Sequence, residues 1–208
     1  MKQLERIKMN LHKYKVLFIV VISVSALLVA SPALQRLLVY PQTEFFTELW
    51  VLGPEQKAEN YPFNITRNEN YDVFLGIGNH LGQCAYYVVE VKFRNESMSA
   101  PSSLKGTPSS VSSLFNMTVF VADGSVWTQF LTFSLDYEFN APFSRVDFYS
   151  LTLNGVKLGL DGLSSKWNFT ASRFYGNLIF ELWIYNGSTG FFNYHERFVD
   201  LKLNMISA

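Results

Sequence analysis

The sequence predicts an all-β fold: an immunoglobulin-like β-sandwich ectodomain preceded by a single N-terminal transmembrane helix. Three observations carry this. An uncharged apolar run, VLFIVVISVSALLVASPA, fills Val16 to Ala33 behind a basic head. Beyond it, apolar and aromatic segments recur between turn signals every 8–15 residues, as short strands do. No stretch past residue 41 repeats at helical period.

The head, residues 1–15, holds Lys2, Arg6, Lys8, Lys13 and Lys15 against Glu5. The chain has 17 basic and 17 acidic residues, so 12 basic and 16 acidic residues lie beyond the head. An acidic domain lacks the basic footprint that nucleic acid demands, so no nucleic-acid partner is expected. Residues 16–40 read as a membrane anchor. A bilayer core needs about 20 apolar residues at a rise of about 1.5 Å each. No charge occurs from Val16 to Gln35, and Tyr40 is placed as an interfacial aromatic. The head is long and the apolar run exceeds the core of a signal peptide, which favours retention over cleavage. The lipid bilayer is then one partner. By the positive-inside tendency the N-terminus is cytoplasmic and residues from about 41 are extracytoplasmic, at the cell membrane.

Residues 41–208 suffice for one domain. With 19 Phe, 11 Tyr, 4 Trp and 16% charged residues in the chain, an aromatic β core is expected. Strands are predicted at Thr43–Leu52, Tyr71–Gly78, Ala85–Arg94, Asn116–Val121 and Trp127–Tyr137. Arg145–Leu153 and Val156–Leu158 form a hairpin closed by Asn154-Gly155. Gly176–Tyr185 and Phe191–Leu203 form the last pair. The segment 96–113, ESMSAPSSLKGTPSSVSS, is Ser- and Pro-rich and reads as an exposed, mobile loop.

Five tripeptides match the N-glycosylation acceptor, at Asn64, Asn95, Asn116, Asn168 and Asn186. Covalent N-glycans require exposed backbone, so these sites are expected on loops or strand ends.

Little in the sequence carries recognisable chemistry, and no catalytic, cofactor or metal residue is assigned. The single cysteine, Cys84, excludes an intrachain disulfide and reads as a small buried hydrophobe. His80 falls in an expected turn and His195 on an expected strand, without metal-ligand spacing. Gly76-Ile-Gly78 lacks the third glycine of a nucleotide loop and reads as a strand end and bulge. Asp136, Glu138 and Asp147 are candidate paired carboxylates for glycoside hydrolysis but read as solvated strand-face acids. Trp50, Trp127, Trp167 and Trp183 fit either a sugar-stacking platform or, at strand spacing, the core.

Four segments carry a family resemblance: Phe46–Thr66 (FTELWVLGPEQKAENYPFNIT), Val73–Val91 (VFLGIGNHLGQCAYYVVEV), Val119–Leu135 (VFVADGSVWTQFLTFSL) and the closing strands Gly176–Leu203. In this order they resemble the C-terminal domain of the archaeal membrane-protein family known as domain of unknown function 1616, over about residues 44–204. The resemblance implies an extracytoplasmic β domain on an archaeal membrane and transfers no activity and no catalytic residue. Many members carry several N-terminal membrane helices where this chain has one. Its last strand also lacks the expected His-Leu-Trp-like ending.

The expected function is a membrane-anchored, N-glycosylated, non-catalytic interaction module that binds a protein partner in the membrane or surface layer. The alternatives are a subunit of a pilus-like surface filament and a carbohydrate-binding module or glycan-acting enzyme.

Overall fold

The computed structural model describes residues 14–37, 44–160 and 162–207, with the side chains of 32–37 left aside. The basic head up to residue 13 and Tyr40 lie outside the described residues. The chain forms two separate units, Met1–Glu44 and Phe45–Ala208.

The first unit contains one helix, α1, Lys15–Leu37. Its β-branched and leucine residues leave no polar stripe, and every described apolar side chain from Val16 to Val29 is exposed. Among the residues described to the side chain, which end at Ser31 in this helix, no helix is long and apolar enough to cross a membrane.

The second unit is all-β, with two sheets. Its strands are β1 Phe46–Leu52, β2 Asn64–Thr66, β3 Tyr71–His80, β4 Ala85–Asn95, β5 Phe115–Val121, β6 Ser125–Asn140, β7 Arg145–Leu153, β8 Val156–Gly159, β9 Ser164–Lys166, β10 Tyr175–Asn186 and β11 Phe191–Ile206. One sheet runs β1-β3-β6-β7-β8, with β9 also pairing β7, and the other runs β2-β11-β10-β4-β5. Every pairing is antiparallel except β2 with β11.

Period-two alternation builds the core. On one sheet Val73, Leu75 and Ile77 of β3, Leu131, Phe133, Leu135 and Tyr137 of β6, and Val146, Phe148, Leu151 and Leu153 of β7 turn inward. They meet Tyr87, Val89, Val91 and Phe93 of β4, Leu178, Phe180 and Leu182 of β10, and Leu201, Leu203 and Met205 of β11. The two layers lock ring against ring, with Phe93 and Phe148 edge-on at 5.0 Å. The Tyr137 hydroxyl donates toward the carbonyls of Ile65, at 2.5 Å, and Ile206, at 2.8 Å, tying β6 to the opposite sheet.

The predicted strands are present within a few residues. Asn154 and Gly155 take φ of 47° and 81°, the positive values that a two-residue hairpin turn requires. The structure adds β2 and β9, three residues each, too short to register as periodic segments.

Four expectations are corrected. Cys84 is exposed, because residues 81–84 carry the chain from one sheet to the other rather than starting a buried strand. For the same reason His80 ends β3 instead of sitting in a hairpin turn; its ring stacks on Phe46 at 4.5 Å. Gly76 is not at a bulge: it lies mid-strand under the Trp50 indole, where any Cβ would collide with the ring. The loop at 96–113 is exposed along most of its length, with its tip residue Leu104 fully so, but it is not free throughout: it is anchored at two buried residues. Pro101 and Ser109 are buried, and the strands' outward residues supply the reason. Glu181 of β10 is wholly buried and meets Lys92 of β4 at 2.7 Å. Its other oxygen accepts the Ser109 amide at 2.8 Å, so the loop closes over a desolvated ion pair. Glu90 adds a second carboxylate on Lys92 at 2.9 Å.

Candidate functional site

An aromatic groove occupies the end of the β domain remote from its entry strand. β1 enters beside His80 and Ser125-paired Asn79, at one end of the sheet. The groove lies at the other end, where β6 finishes, β7 begins and β9 leads into β10.

Local sequence sets each wall. Phe139 follows the register shift at Asp136/Tyr137, where β7 carries the extra residue, Tyr149, opposite β6. Trp167 follows β9, and its amide donates to the Ser144 carbonyl at 3.0 Å. The six-residue turn after it is closed by the Asn168–Arg173 bridge, which delivers Phe174 back to the groove. Trp167 and Phe174 then meet edge to face at 4.8 Å, and Phe139 meets Phe174 at 5.5 Å. These three rings are shared by two adjoining clefts of about 430 and 530 Å³. Phe169 stands 85% exposed at the rim. Arg145, its guanidinium 5.1 Å from the centre of the Phe143 ring, lines one cleft, and Arg173 lines the other. Concave aromatic walls with guanidinium groups at the margin suit an apolar or aromatic anchor with acidic flanks.

None of these groove residues except Trp167 stands out in the sequence as a site. The available signal is the density of aromatics in 139–143 and 167–174, segments too short and broken by Pro or polar residues to be core strands.

The tryptophans do not form one platform. All four are half-buried and occupy separate places: Trp50 over Gly76, Trp127 against the core, Trp183 beside Tyr194, and Trp167 in the groove. The candidate carboxylates are partnered. Asp136 pairs with Arg67 at 2.8 Å, Glu138 accepts the Tyr149 hydroxyl at 3.0 Å, and Asp147 pairs with Arg145 at 2.8 Å. Among the described residues, no group of three or more His, Cys, Asp or Glu is placed to hold a metal ion.

The acceptor asparagines lie at strand ends or turns, but their amides differ. The Nδ2 of Asn95 donates to the Ser164 carbonyl at 2.7 Å and that of Asn168 to Glu96 at 2.8 Å. Asn64, Asn116 and Asn186 use only Oδ1, which accepts from Asn204, Ser113 and the Ser188 amide, leaving Nδ2 without a partner among the described residues.

His195 sits in the β11 bulge opposite Leu182/Trp183. The bulge brings its Nε2 to 2.8 Å from Thr47 Oγ1, which lies 3.1 Å from the Tyr87 hydroxyl. That hydroxyl donates to buried Asn79 at 3.2 Å. Burial lowers the His195 pKa below 6.5, Arg197 adds to the shift, and Glu196 opposes it. The folded state therefore resists the proton that the unfolded chain accepts near pH 6.5. Stability is expected to hold above pH 6.5 and to fall as the pH drops through the folded value. Urea unfolding at pH 7.5 and 5.0 checks this, and His195→Gln is expected to flatten the slope.

Two sheets, antiparallel apart from the β2–β11 pair, enclose one core and carry an aromatic groove at one end. The chain resembles the family described as Domain of unknown function (DUF1616), whose model matches residues 41–143. The match ends at Phe143, so it covers β1 to β6 and stops short of the closing strands expected in it. No curated protein matches the chain. Similar solved structures include a β-glucosidase from Listeria innocua, 10% identical with a TM-score of 0.37, over 81% of this chain and 17% of that one. A PapD-like domain of human CEP192 is 10% identical with a TM-score of 0.31, over 82% and 93%. A family 123 glycoside hydrolase from Clostridium perfringens is 6% identical with a TM-score of 0.33, over 78% and 28%.

Proposed function

We propose that the chain is a membrane-anchored, N-glycosylated, extracytoplasmic interaction module, a non-catalytic subunit of a cell-surface or membrane complex. The groove around Trp167 is the observation that carries this reading. Its rings are half-open and line a concave surface, into which a partner's side chain can fit. The anchor is supported by the length of α1. Its 23 residues rise about 34 Å at 1.5 Å each, against a hydrocarbon core of about 30 Å. A helix that is apolar all round belongs in a protein core or in a membrane, and the described apolar side chains of α1 from Val16 to Val29 are exposed. The immunoglobulin-like description of the sandwich rests on two mainly antiparallel sheets enclosing one core. The partner supplies an aliphatic or aromatic side chain to the clefts and acidic groups to Arg145 and Arg173.

The test is crosslinking and co-purification of the full chain from native membranes in detergent. A stoichiometric partner is expected, and Trp167→Ala is expected to weaken its capture about 30-fold, the effect of a 2 kcal/mol hot spot. Unchanged capture by a folded Trp167→Ala chain would remove the groove from the reading. A monomer at native abundance would sink the module itself. A half-open Trp167 also favours a second reading, carbohydrate binding, for which oligosaccharide titration would show saturable quenching of its fluorescence.

A further inference from the structure

The outer face of the five-stranded sheet carries an aromatic row that neither the groove nor the core uses. Phe192 of β11, Tyr185 of β10, Tyr86 of β4 and Phe120 of β5 lie side by side across four strands. Tyr185 pairs with Phe192 and Tyr86 with Phe120 in register, and the Tyr86 and Tyr185 rings are 6.0 Å apart. Tyr86 and Phe120 are stacked nearly parallel at 4.1 Å, yet Phe120 is 68% exposed. Since β5 ends its sheet, one face of the Phe120 ring rests on Tyr86 and the other meets no strand.

Asn116, Thr118 and Phe120 alternate onto this same face, and all three are exposed. Asn116 and Thr118 are the first and third residues of a glycosylation acceptor. The Ser113 hydroxyl holds Asn116 Oδ1 at 2.5 Å, which fixes the amide plane and leaves Nδ2 turned away from that bond. Four residues of strand separate Asn116 from Phe120 by about 13 Å, within reach of a short oligosaccharide. No other acceptor shares this geometry. Asn95 and Asn168 have their amide nitrogens tied down. Asn186 pairs with Phe191, and alternation puts it on the face opposite Tyr185. Asn64 belongs to β2, at the opposite margin of the sheet.

We propose that an N-glycan on Asn116 folds back along β5 and seats a sugar on the open face of Phe120. A pyranose presents an apolar C–H face, and laying it on the ring removes both surfaces from water. The aromatic row is then the chain's own glycan platform, which supports the last aromatic of an otherwise unprotected sheet edge. This inference rests on the glycoprotein reading.

The test uses the full chain, made in a host that N-glycosylates, with peptide mapping of occupancy and thermal unfolding in detergent. Four proteins close a cycle: the native sequence, Thr118→Ala, Phe120→Ala and the double variant. Thr118→Ala removes the acceptor and keeps Asn116. With Phe120 present, loss of the glycan is expected to lower the midpoint by about 2–4 °C. With Phe120→Ala the same loss is expected to shift it by less than a degree or so. Equal shifts in both backgrounds, with Asn116 occupied, would overturn the seat and leave the glycoprotein reading standing. An unoccupied Asn116 would overturn the seat, and five unoccupied acceptors would overturn the glycoprotein reading with it.

Discussion

Replacing Lys92 with Met is expected to destabilise the β domain by about 3–5 kcal/mol, the cost of leaving a buried charge without its partner. Glu181 has no exposed surface, and Lys92 supplies its counter-charge from the neighbouring strand. Removing the ammonium leaves Glu181 facing Glu90 across a strand pair, with the Ser109 amide as its remaining donor. The loop over the pair is expected to loosen, so limited proteolysis within 96–113 should accelerate in Lys92→Met. Adding Glu181→Leu should restore most of the lost stability, because a buried ion pair exchanged for apolar groups is often neutral. It should not restore all, since the Ser109 amide then loses its acceptor at a cost of about 1–3 kcal/mol. Denaturant midpoints of the three chains decide this. A Lys92→Met chain within about 0.5 kcal/mol of the native one, the range of an ordinary surface change, would mean that water reaches the pair.

Phe148→Ala is expected to cost a similar 3–5 kcal/mol, for a different reason. Phe148 is 1% exposed and stands between the sheets, edge-on to Phe93 at 5.0 Å and to Tyr137 at 6.4 Å. Truncation opens a cavity that rigid strands on both sides cannot close. Phe148→Leu keeps most of the volume and should lose far less. Thermal unfolding separates the two, with a drop of roughly 10 °C or more for alanine. Equal drops would indicate that ring geometry, not volume, fixes the site.

Strands and hairpins were legible because they obey local rules. The period-two runs in β3, β4 and β6, and the Asn154-Gly155 turn, need only neighbours in sequence. What the sequence hid is non-local. Nothing around His195 announces that a bulge in β11 will bring it to Thr47, 148 residues earlier. Lys92 and Glu181 read as two ordinary outward charges until the loop from 96 to 113 covers them. The scarcity of apolar residues made that loop look free, yet its backbone, not its side chains, does the binding at Ser109. The groove was hidden for a related reason. Phe139, Trp167 and Phe174 come from three segments that only the β6–β7 pairing, with its bulge at Tyr149, and the turn after β9 bring together.

The parallel pairing of β2 with β11 has a consequence for timing. Asn64 lies against Asn204, so a strand near the start of the domain waits for one near its end. The Tyr137 hydroxyl spans the same join, toward Ile65 and Ile206. A ribosome that has released β1 to β9 has made a chain with Ile65 still lacking its neighbour. Long sequence separation between partners slows folding, and open strand edges persist meanwhile. Completion of the domain is therefore set by the arrival of its last sixteen-residue strand. A chain interrupted before Phe191 is expected to remain a substrate for chaperones and proteases rather than become a smaller version of the same domain.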